Sequence, residues 1–176
     1  MGKIGSEMAK RATGFSMNVL YFNRNKRAEE FGASYVDSLE ELLERSDYVS
    51  LHNPLTPETM NMMSTVQFKL MKKSAILINT TRGAVVDQDA LYVALKSGEL
   101  AGAALDVTVP EPIPADHPLL TLDNCLIMPH VASATVDTRM KMAMMSVENV
   151  LAAVTGDWPP YCVNQAAIAG NARIKI

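Results

Sequence analysis

AILINTTRGAVVDQDALYVALKSGEL, residues 75–100, holds one strand and one helix joined by a polar turn. The run AILIN is apolar and short, which suits a strand buried on both faces. Asp87 stands at the N-cap position of the helix that follows, and Gly98 stands near its end. Thr80, Thr81, Arg82 and Gly83 are thereby delivered to the C-terminal end of the strand. The pattern repeats on both sides. NVLYFN (18–23), ASYV (33–36), YVSLH (48–52), GAALDV (102–107) and CLIMP (125–129) are further apolar runs. Ser38, with Glu41 three residues on, has capping-box spacing for a helix between the second and third of them. TPETMNMM (56–63) begins a turn and short helix, and FKLMKK (68–73) gives the helix end. Residues 134–156 read as one long helix ending at Gly156, and the tail 157–176, without periodicity, is expected to be partly disordered. Strand–helix alternation predicts an α/β fold, a doubly wound parallel sheet with helices on both faces.

Composition narrows the function. The chain has 176 residues, 48% of them apolar, and a net charge of −3. That balance argues against nucleic acid or an anionic membrane surface as a partner. No apolar stretch is long enough to span a bilayer, and no secretory leader is read, so a cytoplasmic location is expected. The two cysteines, Cys125 and Cys162, have no ligand spacing, so no metal site is expected. Cys125, inside LDNCLIMPH, reads as a buried thiol. Five methionines, Met128 and four within MKMAMMSVENVL, point to a packing surface.

Ligands of such sheets sit beyond the C-terminal strand ends. That directs attention to Asn23-Arg24, Asn53-Pro54, Thr80-Thr81-Arg82, Asp106-Val107-Thr108 and His130, and three groups on these strand-end loops are weighed first. Arg82 follows a buried strand and offers a fork for a carboxylate or a carbonyl oxygen; the plain alternative is a surface arginine in a turn. Glu111 lies between Pro110 and Pro112 in a stiff loop, as a solvated carboxylate or as part of a site. His130 follows CLIMP. A carboxylate beside an imidazole favours the protonated ring, a ready proton donor. His117 reads as a loop or cap residue and His52 as structural.

Taken in order, NTTRG, DVTVPEP and MPHVASAT, with LHNPLTPET before them, resemble the D-isomer-specific 2-hydroxyacid dehydrogenases over residues 1–160. LDVTVPEPIPADHPLLTLDNCLIMPHVASATVDTR is most similar to the glyoxylate/hydroxypyruvate reductases among them. The resemblance implies a Rossmann-like dinucleotide fold and reduction of a small 2-keto acid to the D-2-hydroxy acid. It implies that His130 protonates the keto oxygen, Glu111 holds and charges His130, and Arg82 orients the substrate. Asp106 matches a residue near the nicotinamide carboxamide; Pro54, Thr80 and Ser133 match residues lining the cofactor. Ala132 departs from the family's frequent glycine. A homodimer is also implied.

The stretch Gly2-Lys3-Ile4-Gly5 matches the last two glycines of G-x-G-x-x-G, in register before the strand end at Asn23 and Arg24. Asn23 stands where an aspartate would select NAD, and Arg24 can pair with a 2′-phosphate, so NADP is expected, with NAD as the alternative. The first glycine and its strand are not matched. In the usual order 3-2-1-4-5-6 that strand is central. Without it NVLYFN and ASYV separate from YVSLH, and two inner edges go unpaired. The reading is therefore an incomplete NAD(P)-binding domain over 1–133, a long helix over 134–156, and a tail over 157–176 from the substrate-domain side. Little activity is expected of the chain alone. The competing reading is a non-catalytic dinucleotide- or protein-binding module like the family's corepressors.

Overall fold

All six apolar runs become strands in the computed structural model, which describes residues 1–168: β1 (Val19–Tyr21), β2 (Ala33–Tyr35), β3 (Tyr48–Leu51), β4 (Ile76–Asn79), β5 (Gly102–Leu105) and β6 (Cys125–Ile127). Every pairing is parallel, and the strands form two pieces. In the first, β1 pairs with β2, Val19 opposite Ala33. In the second, the order is β3-β4-β5-β6, with Ile78 between Ser50 and Ala104. Among the described residues β1 and β3 each pair along one edge only. This is the break expected of an order 3-2-1-4-5-6 whose strand 1 is not there.

The core divides the same way. Leu43, Met63, Phe68, Leu77, Leu91 and Leu105 belong to one cluster around the four-stranded piece. Ala9, Tyr21 and Ala33 form a smaller one around the other. Helix α1 (Lys3–Thr13) joins the smaller one. Its Ala9 packs with Tyr21, and Gly5 faces the residue after β3, where an added Cβ would lie 3.4 Å from His52 Cβ.

Local signals place the other helices. Ser38 accepts a hydrogen bond from Glu41 N (3.1 Å) and starts α2 (Leu39–Arg45). Asp87 accepts from Ala90 N (3.1 Å) and starts α4 (Gln88–Lys96). His117 is the cap foreseen for it: Nδ1 accepts from Leu119 N at 3.2 Å, opening a single 3-10 turn. The turn and short helix expected from residue 56 to FKLMKK are both present, with the helix confined to its second part. Residues 56–63 form turns, and the helix, α3 (Thr65–Leu70), starts later. The Thr59 hydroxyl accepts from Thr56 N (2.8 Å) and donates to Pro54 O (2.7 Å), folding the segment back on itself. Met63 then runs extended, bridged to Val86, and Gln67 Oε1 accepts from Ser64 N (3.3 Å) as the helix begins.

Two compact units are present, residues 1–130 and a second beginning at Val131. The second contains α5 (Val136–Thr155), closed by Gly156 in the left-handed conformation (φ 84°), and α6 (Gln165–Ile168). Part of the tail read as disordered thus takes helical form; residues 169–176 lie outside the described residues. No residue of α5 is buried. Val136, Met140, Met144, Val147, Leu151 and Val154 are all exposed, at intervals of three and four that align them along one side.

Cys125, read as buried, is half-buried on β6, and burial still pushes its thiol up to about 11. Only about a thousandth of it is thiolate at pH 8, and the thiolate is the nucleophile. Iodoacetamide at pH 8, followed by mass spectrometry, is expected to leave Cys125 unmodified under conditions that alkylate a small free thiol completely. Stoichiometric labelling in the folded chain would contradict this.

Candidate active site

The site is built outward from Asn79, the last residue of β4. Its side chain is fully buried. Nδ2 donates to Arg82 O (3.0 Å), while Oδ1 accepts from Thr81 N (3.0 Å) and Thr81 Oγ1 (2.9 Å). One amide thus satisfies the turn that presents Arg82, as burial of polar groups demands. Arg82 is exposed, and its guanidinium donates to Thr81 O (2.6 Å). Together with His52, Asn53, Pro54, Leu55 and Thr81 it lines an open cleft of about 470 Å³.

Gly83 follows. An added Cβ there would lie 2.2 Å from Thr108 O and 2.3 Å from Thr108 C. The turn after β4 and the loop after β5 therefore touch backbone to backbone, which only glycine allows. That second loop carries Glu111, whose Oε1 lies 2.6 Å from His130 Nδ1. His130 has φ +54°, a left-handed conformation costing about 1–3 kcal/mol for a residue with a side chain. Asp106, Thr108, Glu111, Ile127, Met128 and His130 line a second cleft of about 430 Å³. Asp106 is buried, its N–H bonded to Asn79 O (2.9 Å). The structure thus brings Glu111 and His130 into direct contact beside Asp106, and Arg82 beside Pro54.

The remaining predicted positions lie as follows. Gly2 is the N-cap of α1 and supplies no side-chain cap; Lys3 and Ile4 are exposed, and Gly5 is buried in the first turn. Ser6, one residue on, is buried with its hydroxyl unpartnered among the described residues. A helix start with open N–H groups and an orphan hydroxyl suits a phosphate. Asn23 Oδ1 accepts from the Met1 amine (2.5 Å). Arg24 is exposed, and its charge helps the Thr56 hydroxyl, the larger cause, hold the Glu58 carboxyl below its usual range. Lys26, which with Arg24 and Arg27 makes a short basic cluster in the sequence, pairs with Glu30 (3.6 Å). Thr80 is exposed at the end of β4, and Ser133 is exposed in the second unit. His52, read as structural, is held neutral mainly by burial, with the Met1 ammonium acting the same way; its Nε2 lies 3.0 Å from Ser50 Oγ.

Sequence reasoning missed two residues. Asn79 looked like the polar end of a strand, and only its burial reveals its role. Gln88 looked like an ordinary first-turn residue of α4. Among the described residues no group of three or more His, Cys, Asp or Glu is placed to hold a metal.

The chain matches, over residues 1–132, the family model described as D-isomer specific 2-hydroxyacid dehydrogenase, NAD binding domain. It is 53% identical over 171 residues to a glyoxylate reductase of Korarchaeum cryptofilum, covering 96% of this chain and 51% of that one. It is 48% identical over 172 residues to a glyoxylate/hydroxypyruvate reductase B of Cronobacter sakazakii, covering 96% and 53%. A Thermus thermophilus protein of known crystal structure superposes with a TM-score of 0.86 at 50% identity, over 91% of this chain and 50% of that one. The chain spans about half the length of the curated relatives it matches.

Proposed function

From a chain that belongs to the D-isomer specific 2-hydroxyacid dehydrogenase family, through its Rossmann-like NAD-binding domain, we propose an NADP-dependent reductase of glyoxylate or hydroxypyruvate with little activity as this chain alone. The observation that carries the reading is the 2.6 Å contact between His130 Nδ1 and Glu111 Oε1. With Nδ1 held by the carboxylate, Nε2 is the atom left to give a proton to the keto oxygen. Glu111 holds and orients the ring. Arg82 takes the substrate carboxylate and polarises the carbonyl.

Gly2, Lys3, Ile4 and Gly5 take the cofactor's pyrophosphate, Asn23 and Arg24 the adenosine ribose and its 2′-phosphate. Pro54, Thr80 and Ser133 line its course, and Asp106 binds the carboxamide. The nicotinamide, when bound, supplies the hydride. Family resemblance and the exposed apolar side of α5 support a homodimer. None of the described helices is long and apolar enough to cross a membrane, in keeping with a cytoplasmic enzyme. The His–Glu contact favours this reading over a binding module, which has no need of it.

The test is NADPH oxidation with glyoxylate or hydroxypyruvate, on this chain and on the chain fused behind the N-terminal half of the Korarchaeum cryptofilum relative. The fusion is expected to turn over with NADPH preferred, and the chain alone to stay near background. Equal, appreciable rates would refute the low activity of the chain; an inert fusion would refute the enzyme. Asn23→Asp in the fusion is expected to move preference toward NADH by about ten- to a hundredfold, the weight of one charged hydrogen bond. An unmoved ratio would count against NADP.

A further inference from the structure

We propose that Gln88 is a positioning residue for the His130–Glu111 pair, acting through the backbone of Val109. The loop after β5 cannot be held by ordinary ladder bonds: Pro110 and Pro112 have no N–H to give. The amide of Gln88 takes their place. Its Nε2 donates to Val109 O (2.7 Å) and its Oε1 accepts from Val109 N (2.8 Å). One side chain thus pairs with one residue's main chain on both sides, as a neighbouring strand does. Thr108 Oγ1 donates to Pro110 O (2.9 Å) and closes the loop from within. Glu111 stands two residues beyond the clamp, at the 2.6 Å contact with His130.

The clamp is itself anchored. Gln88 is the first residue of α4, and the cap before it, Asp87, is tied on both oxygens, to Ala90 N (3.1 Å) and to Ser64 Oγ (2.8 Å). Asp87 N bonds Met63 O (2.9 Å). The connection therefore runs from a fixed helix start, through a rigid amide pair, to the carboxylate. An ionised glutamate at this position keeps the acceptor for Val109 N and loses the donor for Val109 O. It separates half of the clamp from the whole.

The inference rests on the reductase reading for its meaning but not for its test, which needs no turnover. The chain has three histidines, at 52, 117 and 130. Nitrogen-15 shifts of their rings, read through the carbon-bound protons above pH 8, give the tautomer of each. His130 is expected mostly in the Nδ1–H form, donating to Glu111, with Glu111→Ala as the reference for loss. Gln88→Leu is expected to reduce the Nδ1–H fraction of His130 at least twofold toward that reference, and Gln88→Glu to give a smaller reduction. His52 and His117 are expected to keep their shifts in both. If Gln88→Leu does not fold, Gln88→Glu decides alone. A His130 tautomer unchanged in the folded variants overturns the proposal. So does a joint change of all three rings, which would make Gln88 a residue of the fold rather than of the site. If the fusion enzyme proves inert while these shifts appear, the reductase reading fails and the clamp stands.

Discussion

His130→Asn is expected to lower the rate of glyoxylate reduction by the fused chain by about 10²–10⁴-fold, the usual weight of a positioned general acid. Asparagine is the informative choice because of the backbone. His130 sits at φ +54°, and asparagine is among the side chains that tolerate this region best. The loss therefore reports the missing proton donor rather than a rearranged loop. The asparagine amide can still meet Glu111, so the unfolding midpoint is expected to stay near that of the parent. KM for glyoxylate should change much less than kcat, since the histidine acts on charge that develops during reduction. A variant that keeps a third or more of the parental kcat would mean that the proton comes from elsewhere.

The second large effect concerns Gly83→Ala. The new methyl would stand 2.2 Å from Thr108 O, 2.3 Å from Thr108 C and 2.8 Å from Thr108 Cα. These are backbone atoms, so no rotamer change relieves the overlap; one loop must move. Overpacking costs about 1–3 kcal/mol, and this contact belongs at the upper end. With a urea slope of about 2 kcal/mol per molar, the midpoint should drop by about 1–1.5 M. Function suffers separately, because the two loops forced apart carry Arg82 and Glu111. A misplacement of about 1 Å can cost a hundredfold in rate. Gly98→Ala is the control. Gly98 has φ +70° but nothing within 4 Å of an added Cβ, so it carries conformational strain without overlap. Its cost is about 1–2 kcal/mol. Equal stability and equal activity of the two variants would show that the Gly83 contact is not tight.

Much of this molecule is written locally. The six strands, the caps at Ser38, Asp87 and His117, and the αL close of α5 at Gly156 depend on residues within four positions of one another. Apolar runs and capping side chains are therefore legible in the chain itself. The strand-end rule carried this further, to Arg82, Asp106 and His130. Even the break between β1 and β3 followed from a glycine pattern and a strand order. The exact start of the short helix between 56 and 73 marks the limit. The bridge from Met63 to Val86 joins residues 23 positions apart, and no local signal shows it.

What the tertiary structure alone decided is which polar groups lose water and find each other. Asn79 became the buried brace of the Arg82 turn because it shares the buried face of β4 with Leu77. Gln88 met Val109 across 21 residues, Gly83 met Thr108, and Glu111 met His130 across 19. A sequence specifies such meetings only through the packing of everything between them. Local preference is a property of neighbours along the chain, whereas the reach and burial of a side chain belong to the folded whole.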